Sequence, residues 1–220
     1  SLVLLKLILS YIIFLMKLGI VFKKDNVDKS FLRSSPFDKL RTVGLKEDNE
    51  KAQGMAGDVK KYLESKNVEV ADENNLEGSR YILSFGGDGT LIHKASQFAH
   101  LGIPFIGINT GNVGFLTAVE EKDWKMAVDK IVSNDKIFIS ERMTLEVQGS
   151  KEKYRAVNEA AVKGIYRIAE LKIHVNGEEF IKVAGDGVIV ATQTGSTGYS
   201  LSSGGSIVDP QINSLIITFI

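Results

Sequence analysis

The sequence predicts an α/β domain with a parallel sheet, followed by an antiparallel β-sandwich domain that is incomplete. The first domain is predicted because apolar runs typical of strands alternate with helical patterns, with glycine-rich turns between them. The second is predicted by short alternating runs after Phe138, one of which ends in Asn176-Gly177, a turn typical of β-hairpins. We place the boundary near residue 139, so that the domains cover residues 16–139 and 140–220.

In the first domain, the apolar residues of Gln53–Lys66 recur at helical spacing, and Leu91–His100 also has a helical pattern. We interpret residues 30–50, which carry no clear period at their start, as an insertion. A buried strand is predicted at Met16–Phe22, and two further strands at Tyr81–Phe85 and Ile103–Asn109.

The second domain carries the alternation of apolar and polar residues that is typical of strands with one buried face. The strands predicted from this pattern are Met143–Val147, Tyr154–Val157, Leu171–Val175 and Gly187–Ala191.

The composition is that of a folded globular protein of 220 residues, with 44% hydrophobic and 25% charged residues. Its 27 Lys and Arg balance 27 Asp and Glu, so it lacks the bulk positive charge of a non-specific nucleic-acid binder, and we expect no nucleic-acid partner. The absence of cysteine excludes disulfides, a thiolate nucleophile and Cys-ligated metals. The three histidines are too scattered for a His-rich metal site, and we assign no metal ligand.

The two ends of the chain differ from those of a typical domain. Residues 1–16 are strongly apolar, but their longest uncharged stretch, Leu7–Met16, has ten residues, whereas a membrane span needs about 20. We interpret residues 1–15 as an upstream extension before a start at Met16, with a membrane anchor or a signal segment as alternatives. The chain stops inside the apolar run Ser214–Ile220, which predicts a C-terminal truncation.

The segment Gly86-Gly87-Asp88-Gly89-Thr90 stands between a predicted strand and a predicted helix. Glycines there let backbone N–H groups approach a phosphate, and a helix N-terminus adds positive potential. Asp88 would repel the phosphate unless it binds Mg²⁺ or accepts a proton from an attacking hydroxyl. The alternative is an ordinary tight turn capped by Asp88. The segment is neither a Walker A loop nor a complete Gly-x-Gly-x-x-Gly motif.

Three further segments carry polar groups suited to binding. Residues 109–117 repeat the pattern of a glycine-rich turn after a strand, and residues 186–200 are rich in hydroxyls and glycine. Because the last basic residue is Lys182, an anion bound by residues 183–220 would be held by backbone and hydroxyl groups of this chain. The pair Asn158-Glu159 could grip ribose hydroxyls or the edge of a base. For all three, ordinary turns or solvated polar residues are the alternative.

In this order, the segments 86–90, 109–117, 158–159 and 186–200 resemble the NAD kinase family. That family shows a Gly-Gly-Asp-Gly-Thr loop, an Asn-x-Gly-x-x-Gly-Phe-Leu-Thr segment, an Asn-Glu pair and an Asp-Gly…Thr-Gly-Ser-Thr-Ala-Tyr-Ser stretch. The first loop is shared with lipid kinases, where it tends to continue into Asn-Glu, but here Leu91-Ile92 follows.

The resemblance implies phosphoryl transfer from ATP or polyphosphate, with Mg²⁺, to the 2′-hydroxyl of the adenosine ribose of NAD, giving NADP. It also implies a cytoplasmic homo-oligomer, a dimer or tetramer, with no membrane partner. By position, Asp88 would be the catalytic residue that orients or deprotonates the hydroxyl. The phosphate-binding residues would be Gly86, Gly87, Gly89 and Thr90. The NAD-binding residues would be Asn109, Asn158, Glu159, Asp186, Thr194, Thr197, Gly198 and Tyr199.

The chain departs from the family pattern in ways that leave two alternatives open. Gln193 stands where the family usually has Pro, and Gly198 where it has Ala, which would loosen the pocket loop. One alternative is an inactive, truncated remnant that still binds NAD or ATP. The other is a lipid kinase of the same superfamily.

Overall fold

The computed structural model describes residues 2–9, 17–23, 45–71, 73–111, 114–133, 135–149, 152–164 and 168–220. The chain divides into two compact units, one of Ser1–Ser35 with Glu141–Ile220 and the other of Pro36–Ser140. Most of the predicted insertion, up to residue 44, and the predicted start at Met16 lie outside the described residues.

The described part of the chain forms strands and helices in alternation at first and mostly strands afterwards. The strands are β1 (Leu2–Leu9), β2 (Lys17–Lys23), β3 (Ile82–Phe85), β4 (Phe105–Asn109), β5 (Val119–Glu120), β6 (Leu145–Gln148), β7 (Lys153–Ala156), β8 (Glu159–Lys163), β9 (Ala169–Val175), β10 (Glu178–Gly185), β11 (Gly187–Thr192) and β12 (Leu215–Phe219). The α-helices are α1 (Leu45–Ser65), α2 (Asp88–Phe98), α3 (Trp124–Val132) and α4 (Tyr199–Ser202), and 3-10 turns cover Ala99–Leu101, Glu121–Asp123 and Thr194–Thr197.

The unit of residues 36–140 is built on a parallel sheet in the order β3-β4-β5. Its core contains Met55, Val59 and Leu63, which recur every four residues on one face of α1. They cluster with Ile108 of β4 and Val128 of α3, both fully buried. This spacing explains the helix that the sequence predicted from Gln53, but α1 begins at Leu45, inside the range interpreted as an insertion. The parallel sheet confirms the predicted α/β class.

The other unit contains two antiparallel sheets, in the orders β10-β9-β2-β1-β6-β7 and β12-β11-β8. The two sheets share one apolar core, as in a β-sandwich. Its buried residues are Leu145, Val147, Val162, Leu171, Ile173, Val188 and Val190. The antiparallel class predicted for the second half of the chain is therefore confirmed.

The Asn176-Gly177 turn joins β9 to β10, and Val175 pairs with Glu178 across it. Both turn residues have positive φ, 57° and 95°. A two-residue turn of this type requires positive φ at both positions, and Asn followed by Gly tolerates it best. The predicted hairpin is confirmed.

Strands β1 and β2 differ from the sequence-based expectation. The sequence predicted that residues 16–22 belong to the parallel sheet, but β2 pairs antiparallel with β1 on one side and β9 on the other. Strand β1, part of the segment interpreted as an upstream extension, lies between β2 and β6. An extended apolar run can satisfy its backbone groups beside any open strand edge, so its pattern alone does not select the sheet. That residues 1–15 originate upstream stays a prediction.

None of the helices in the described ranges is long and apolar enough to span a bilayer.

Candidate functional site

The glycine-rich turn after β3 is held in a conformation that only glycine adopts easily. Gly86 has φ +144°, and a Cβ there would lie 2.5 Å from the Thr90 hydroxyl oxygen. Its N–H donates to the Ile108 carbonyl of the neighbouring strand at 3.1 Å. Helix α2 then begins at Asp88 with Gly87 as its N-cap. The turn thus ends a parallel strand and presents the N-terminus of an 11-residue helix, a geometry suited to anions.

The Asp88 carboxylate binds the loop that follows β4. Its Oδ2 accepts the N–H of Phe115 at 2.7 Å, and its Oδ1 accepts the N–H groups of Leu116 and Thr117 at 3.0 Å. The Thr117 hydroxyl also donates to Oδ1, at 3.2 Å. The N-cap of α2 is Gly87, so the structure is not the ordinary turn capped by Asp88 that was the alternative interpretation. Asp88 instead connects the two glycine-rich segments.

These contacts leave Asp88 limited capacity for a further partner. An ionised carboxylate offers about four acceptor positions, two on each oxygen. Among the described residues, Oδ1 has three donors and Oδ2 has one, which leaves one acceptor position on Oδ2 open to a further partner. Gly114 lies against the same group, because a Cβ there would be 2.1 Å from Oδ1.

Asn109 ends β4 at the same sheet edge as the Gly86 turn, since β3 and β4 are parallel neighbours. Its Oδ1 accepts the Gly111 N–H at 2.9 Å, and the side chain is buried. This contact shapes the start of the second glycine-rich segment. Residues 112 and 113 of that segment lie outside the described residues.

In the other unit, the pair Asn158-Glu159 meets the hydroxyl-rich segment through the pairing of β8 with β11. Glu159 pairs with Ala191, and the Thr192 N–H donates to the Asn158 carbonyl at 2.8 Å. The Thr192 hydroxyl donates to the Val157 carbonyl at 2.7 Å and accepts the Gly195 N–H at 3.1 Å. Sequence reasoning did not assign Thr192 a role, although its place at the end of a strand is a usable signal.

Two glycines let the turn after β11 approach this pair closely. A Cβ on Gly195 would lie 2.2 Å from the Asn158 carbonyl oxygen, and one on Gly198 would lie 2.7 Å from Glu159 Oε2. The predicted residues Asn158, Glu159 and Gly198 are therefore together. Their neighbours along the 3-10 turn and α4 are the predicted residues Thr194, Thr197 and Tyr199.

Buried polar atoms without a hydrogen-bond partner among the described residues are concentrated in this region. Four of the five lie here, Asn158 Oδ1, Glu159 Oε2, Gln193 Oε1 and Thr194 Oγ1, and the fifth is Ser84 Oγ of β3. All four can accept a hydrogen bond, and burying such groups without a partner costs roughly 1–3 kcal/mol each. A cluster of this kind is suited to a ligand that supplies donors. Gln193, which the sequence showed only as a departure from the family pattern, belongs to this cluster of buried acceptors.

Burial raises the pKa of the Glu159 carboxyl from 4.5 to about 7, and a hydrogen bond from the Tyr199 backbone N–H opposes this shift. Glu159 thus changes charge near neutral pH.

A cation also reaches the hydroxyl-rich segment. The Lys163 Nζ donates to the Tyr199 hydroxyl at 2.9 Å and lies 5.5 Å from the centre of its ring. Lys163 belongs to β8, outside residues 183–220, so its approach to Tyr199 was not predicted from the sequence.

Asp186 is not brought to this cluster. It precedes β11, whereas Thr192 ends it, and six residues of strand span roughly 20 Å. The Asp186 backbone bonds Ile220 and Gly164, and its side chain is exposed. Its assignment to NAD binding stays a prediction.

Among residues that the structure describes, no three His, Asp or Glu side chains form a group able to hold a metal ion. If a phosphate bound at the glycine-rich turn carried a cation, Asp88 Oδ2 could supply one ligand to that cation.

The architecture of a parallel sheet with a glycine-rich strand-to-helix turn, together with two antiparallel sheets, is shared with solved kinases. The chain is similar to an NAD kinase from Archaeoglobus fulgidus solved in complex with ATP, with a TM-score of 0.62 and 33% identity over 76% of this chain and 68% of that one. It is also similar to yeast NADH kinase complexed with NADH, with a TM-score of 0.58 and 30% identity over 64% and 41%.

The family follows from the sequence matches. The ATP-NAD kinase N-terminal domain matches residues 18–137, and the ATP-NAD kinase C-terminal domain matches residues 157–220. The chain belongs to the NAD kinase family. The N-terminal match includes β2, which in the structure pairs within the antiparallel sheet.

Curated relatives agree with this family. The chain is 40% identical to the NAD kinase of Fusobacterium nucleatum over 176 residues, which is 78% of this chain and 66% of that protein. It is 40% identical to the NAD kinase of Agathobacter rectalis over 162 residues, 69% and 57% of the two chains. The chain thus spans 57–66% of the length of these relatives.

Proposed function

We propose that the chain is an NAD kinase that transfers the terminal phosphoryl group of ATP or polyphosphate to the 2′-hydroxyl of the adenosine ribose of NAD. The observation that carries the proposal is the cluster of buried acceptor atoms around Asn158 and Glu159. The hydroxyls of a ribose and the amino group of adenine are donors, and they would relieve the cost of burying those atoms. The cluster lies in a motif that the chain shares with its family.

Asp88 is the proposed catalytic residue. Its Oδ2 has an open acceptor position that can take the hydrogen of the attacking hydroxyl. In the reaction, the 2′-oxygen forms a bond to the terminal phosphorus while the bond from phosphorus to its bridging oxygen breaks. The hydroxyl proton passes to Asp88 and then to solvent, and ADP or shortened polyphosphate leaves. Such transfers depend mainly on positioning and charge neutralisation.

The glycine-rich turn is the proposed phosphate cradle. Backbone N–H groups of Gly87 and Gly89 and the N-terminus of α2 favour negative charge, and Gly86 allows the turn. The Thr90 N–H already donates to the Gly87 carbonyl at 3.1 Å, so Thr90 would contribute its hydroxyl. Mg²⁺ would neutralise charge on the transferring group, and it commonly binds through one or two carboxylates together with substrate phosphates. The open position of Asp88 Oδ2 can take either the hydroxyl hydrogen or Mg²⁺, and we assign it to the hydroxyl hydrogen.

The ligands of two neighbours support this assignment of substrates: ATP in the kinase from Archaeoglobus fulgidus and NADH in the yeast kinase. The same proposal assigns Asn109, Thr194, Thr197, Gly198 and Tyr199 to NAD binding, whereas Asp186, at the other end of β11, stays a sequence-based prediction. A homo-oligomer, dimer or tetramer, stays a prediction that size measurement of the purified chain would test. The cytoplasmic location also stays a prediction.

The proposal is tested by measuring NADP formation from NAD, ATP and Mg²⁺ with the full 220-residue chain, with polyphosphate replacing ATP in a parallel reaction. Diacylglycerol replaces NAD in a third reaction, and calorimetric titration measures NAD and ATP binding. We expect NADP to form and diacylglycerol to remain unmodified. Binding without turnover would favour the inactive remnant, phosphorylated diacylglycerol would favour a lipid kinase, and the absence of both binding and turnover would overturn the proposal.

A further inference from the structure

Tyr199, at the start of α4, is held at both ends by one strand. Its backbone N–H bonds the Glu159 carboxylate, and its hydroxyl accepts a hydrogen bond from Lys163 Nζ at 2.9 Å. Glu159 and Lys163 begin and end β8. Because side chains alternate along a strand, residues four apart share a face. The opposite face carries Val162, which is buried in the sandwich core.

The path of the Lys163 side chain depends on a glycine. A Cβ on Gly187 would lie 3.1 Å from Lys163 Cγ and 2.3 Å from the Val162 carbonyl oxygen. The absence of a side chain at Gly187 therefore lets the Lys163 stem pass beside β11. The ammonium then lies 5.5 Å from the centre of the Tyr199 ring, within the range of a cation–π contact.

The contact brings positive charge to a segment that has none of its own. Residues 183–220 contain no Lys or Arg, and the 3-10 turn and α4 offer only hydroxyl and backbone groups. A dinucleotide is an anion, so a fixed cation near its binding residues would favour it. The Tyr199 oxygen accepts from Lys163, so its own hydrogen can serve a second partner.

We propose that Lys163 is a positioning residue for NAD binding, which fixes the orientation of the Tyr199 ring and hydroxyl through its ammonium group. This inference rests on the proposed function, because it takes Tyr199 as part of the NAD site. It adds a residue that lies outside all four motif segments, 36 positions before its partner.

The test is a comparison of Lys163→Met, Lys163→Gln and Lys163→Arg with the unchanged 220-residue chain. NAD affinity is measured by calorimetric titration, and KM and kcat by NADP formation. We expect Lys163→Met and Lys163→Gln to weaken NAD binding about tenfold, because a partly exposed hydrogen bond from a charged donor is lost. The kcat and the KM for ATP should stay within about threefold of the unchanged chain, and Lys163→Arg should recover most of the affinity.

A double-mutant cycle identifies the route of the effect. In a Tyr199→Phe background, Lys163→Met should weaken NAD binding by no more than about twofold, because the shared hydrogen bond is already lost. Lys172→Met is the matched control, since Lys172 is also a strand lysine, paired with Glu179 at 3.3 Å on the surface. It should leave NAD affinity unchanged.

Three results would overturn the inference. The first is an NAD affinity of Lys163→Met equal to that of Lys172→Met, and the second is an undiminished effect of Lys163→Met on NAD affinity in the Tyr199→Phe background. The third is an equal loss of ATP and NAD affinity, which would indicate a general loosening of the fold. If the unchanged chain binds no NAD, the proposed function fails together with this inference. If the unchanged chain binds NAD and the Lys163 variants bind it as tightly as Lys172→Met does, the proposed function stands and this inference alone fails.

Discussion

Asp88 and Glu159 are both acidic residues of segments by which the sequence resembles the NAD kinase family, but their surroundings are opposite. Asp88 accepts four hydrogen bonds from one loop. Glu159 has a buried Oε2 without a hydrogen-bond partner among the described residues, and its pKa is raised to about 7. The first carboxylate is stabilised by local donors and organises its loop, whereas the second is destabilised by burial. The difference agrees with the proposed roles, in which Asp88 acts from a fixed position and Glu159 gains a partner when NAD binds.

The largest effect is expected from Asp88→Asn. The amide can keep the Oδ1 contacts, but it loses negative charge and opposes the Phe115 N–H with a donor. We expect turnover in the NADP assay to fall by roughly 10²- to 10⁴-fold, the usual loss for a general base.

Thr117→Val is the matched control for Asp88→Asn, because it removes one donor to Asp88 and keeps the carboxylate. Turnover should stay within about threefold of the unchanged chain. Equal losses in both variants would mean that Asp88 only organises the loop.

Glu159→Gln is expected to change stability in a pH-dependent way. The pKa of Glu159 rises from 4.5 to about 7 on folding, so its contribution to stability is present below about pH 4.5 and is lost as pH rises through 7. Above pH 7 the ionised group costs up to about 3 kcal/mol, and the neutral amide avoids this cost. Urea unfolding from pH 5 to 8 should show the free energy of unfolding of Glu159→Gln rising relative to that of the unchanged chain. The same pH dependence in both proteins would contradict the argument from burial.

NAD affinity should depend on the ionisation of the same group. Ribose hydroxyls donate best to an ionised carboxylate, so binding should tighten about tenfold from pH 6 to pH 8 as Glu159 loses its proton near pH 7. Calorimetric titration should show NAD binding releasing a proton. Glu159→Gln should bind more weakly at pH 8 with a flat pH profile, and a slope retained in that variant would assign the pH dependence elsewhere.

The smallest expected effect is the difference in stability between alanine variants of the two glycines that face the carboxylates. A Cβ on Gly114 would lie 2.1 Å from Asp88 Oδ1, and one on Gly198 would lie 2.7 Å from Glu159 Oε2. Asp88 is held by four donors and cannot move without breaking them, whereas Glu159 Oε2 is the mobile end of a long side chain. Gly114→Ala should therefore lower the free energy of unfolding by about 1 kcal/mol more than Gly198→Ala. Thermal unfolding measures both, and the reverse order would contradict the comparison.

The local features of both units could be predicted from the sequence. The glycine-rich turn follows from the need for positive φ at Gly86, and the Asn176-Gly177 hairpin follows from the same steric rule. Helix α1 follows from apolar residues spaced four apart. These features depend on residues close in sequence, so their patterns are visible without the fold.

The pairing of strands could not be predicted in the same way. The apolar run that contains β2 predicted a strand, but the choice of β9 and β1 as partners depends on which sheet edges are open. Asp186 and Thr194 belong to one motif in the sequence, yet β11 separates them because an extended strand spaces its ends far apart.

The sequence by itself determined the family, the fold class and most of the residues that gather around Asn158 and Glu159, because motif order and short-range sterics are written in neighbouring residues. Only the tertiary structure decided that Asp88 ties down the 114–117 loop, that Glu159 is buried enough to raise its pKa, and that Lys163 reaches Tyr199. Those properties arise from contacts between residues far apart in the chain, whose energies depend on burial and on the distance between atoms.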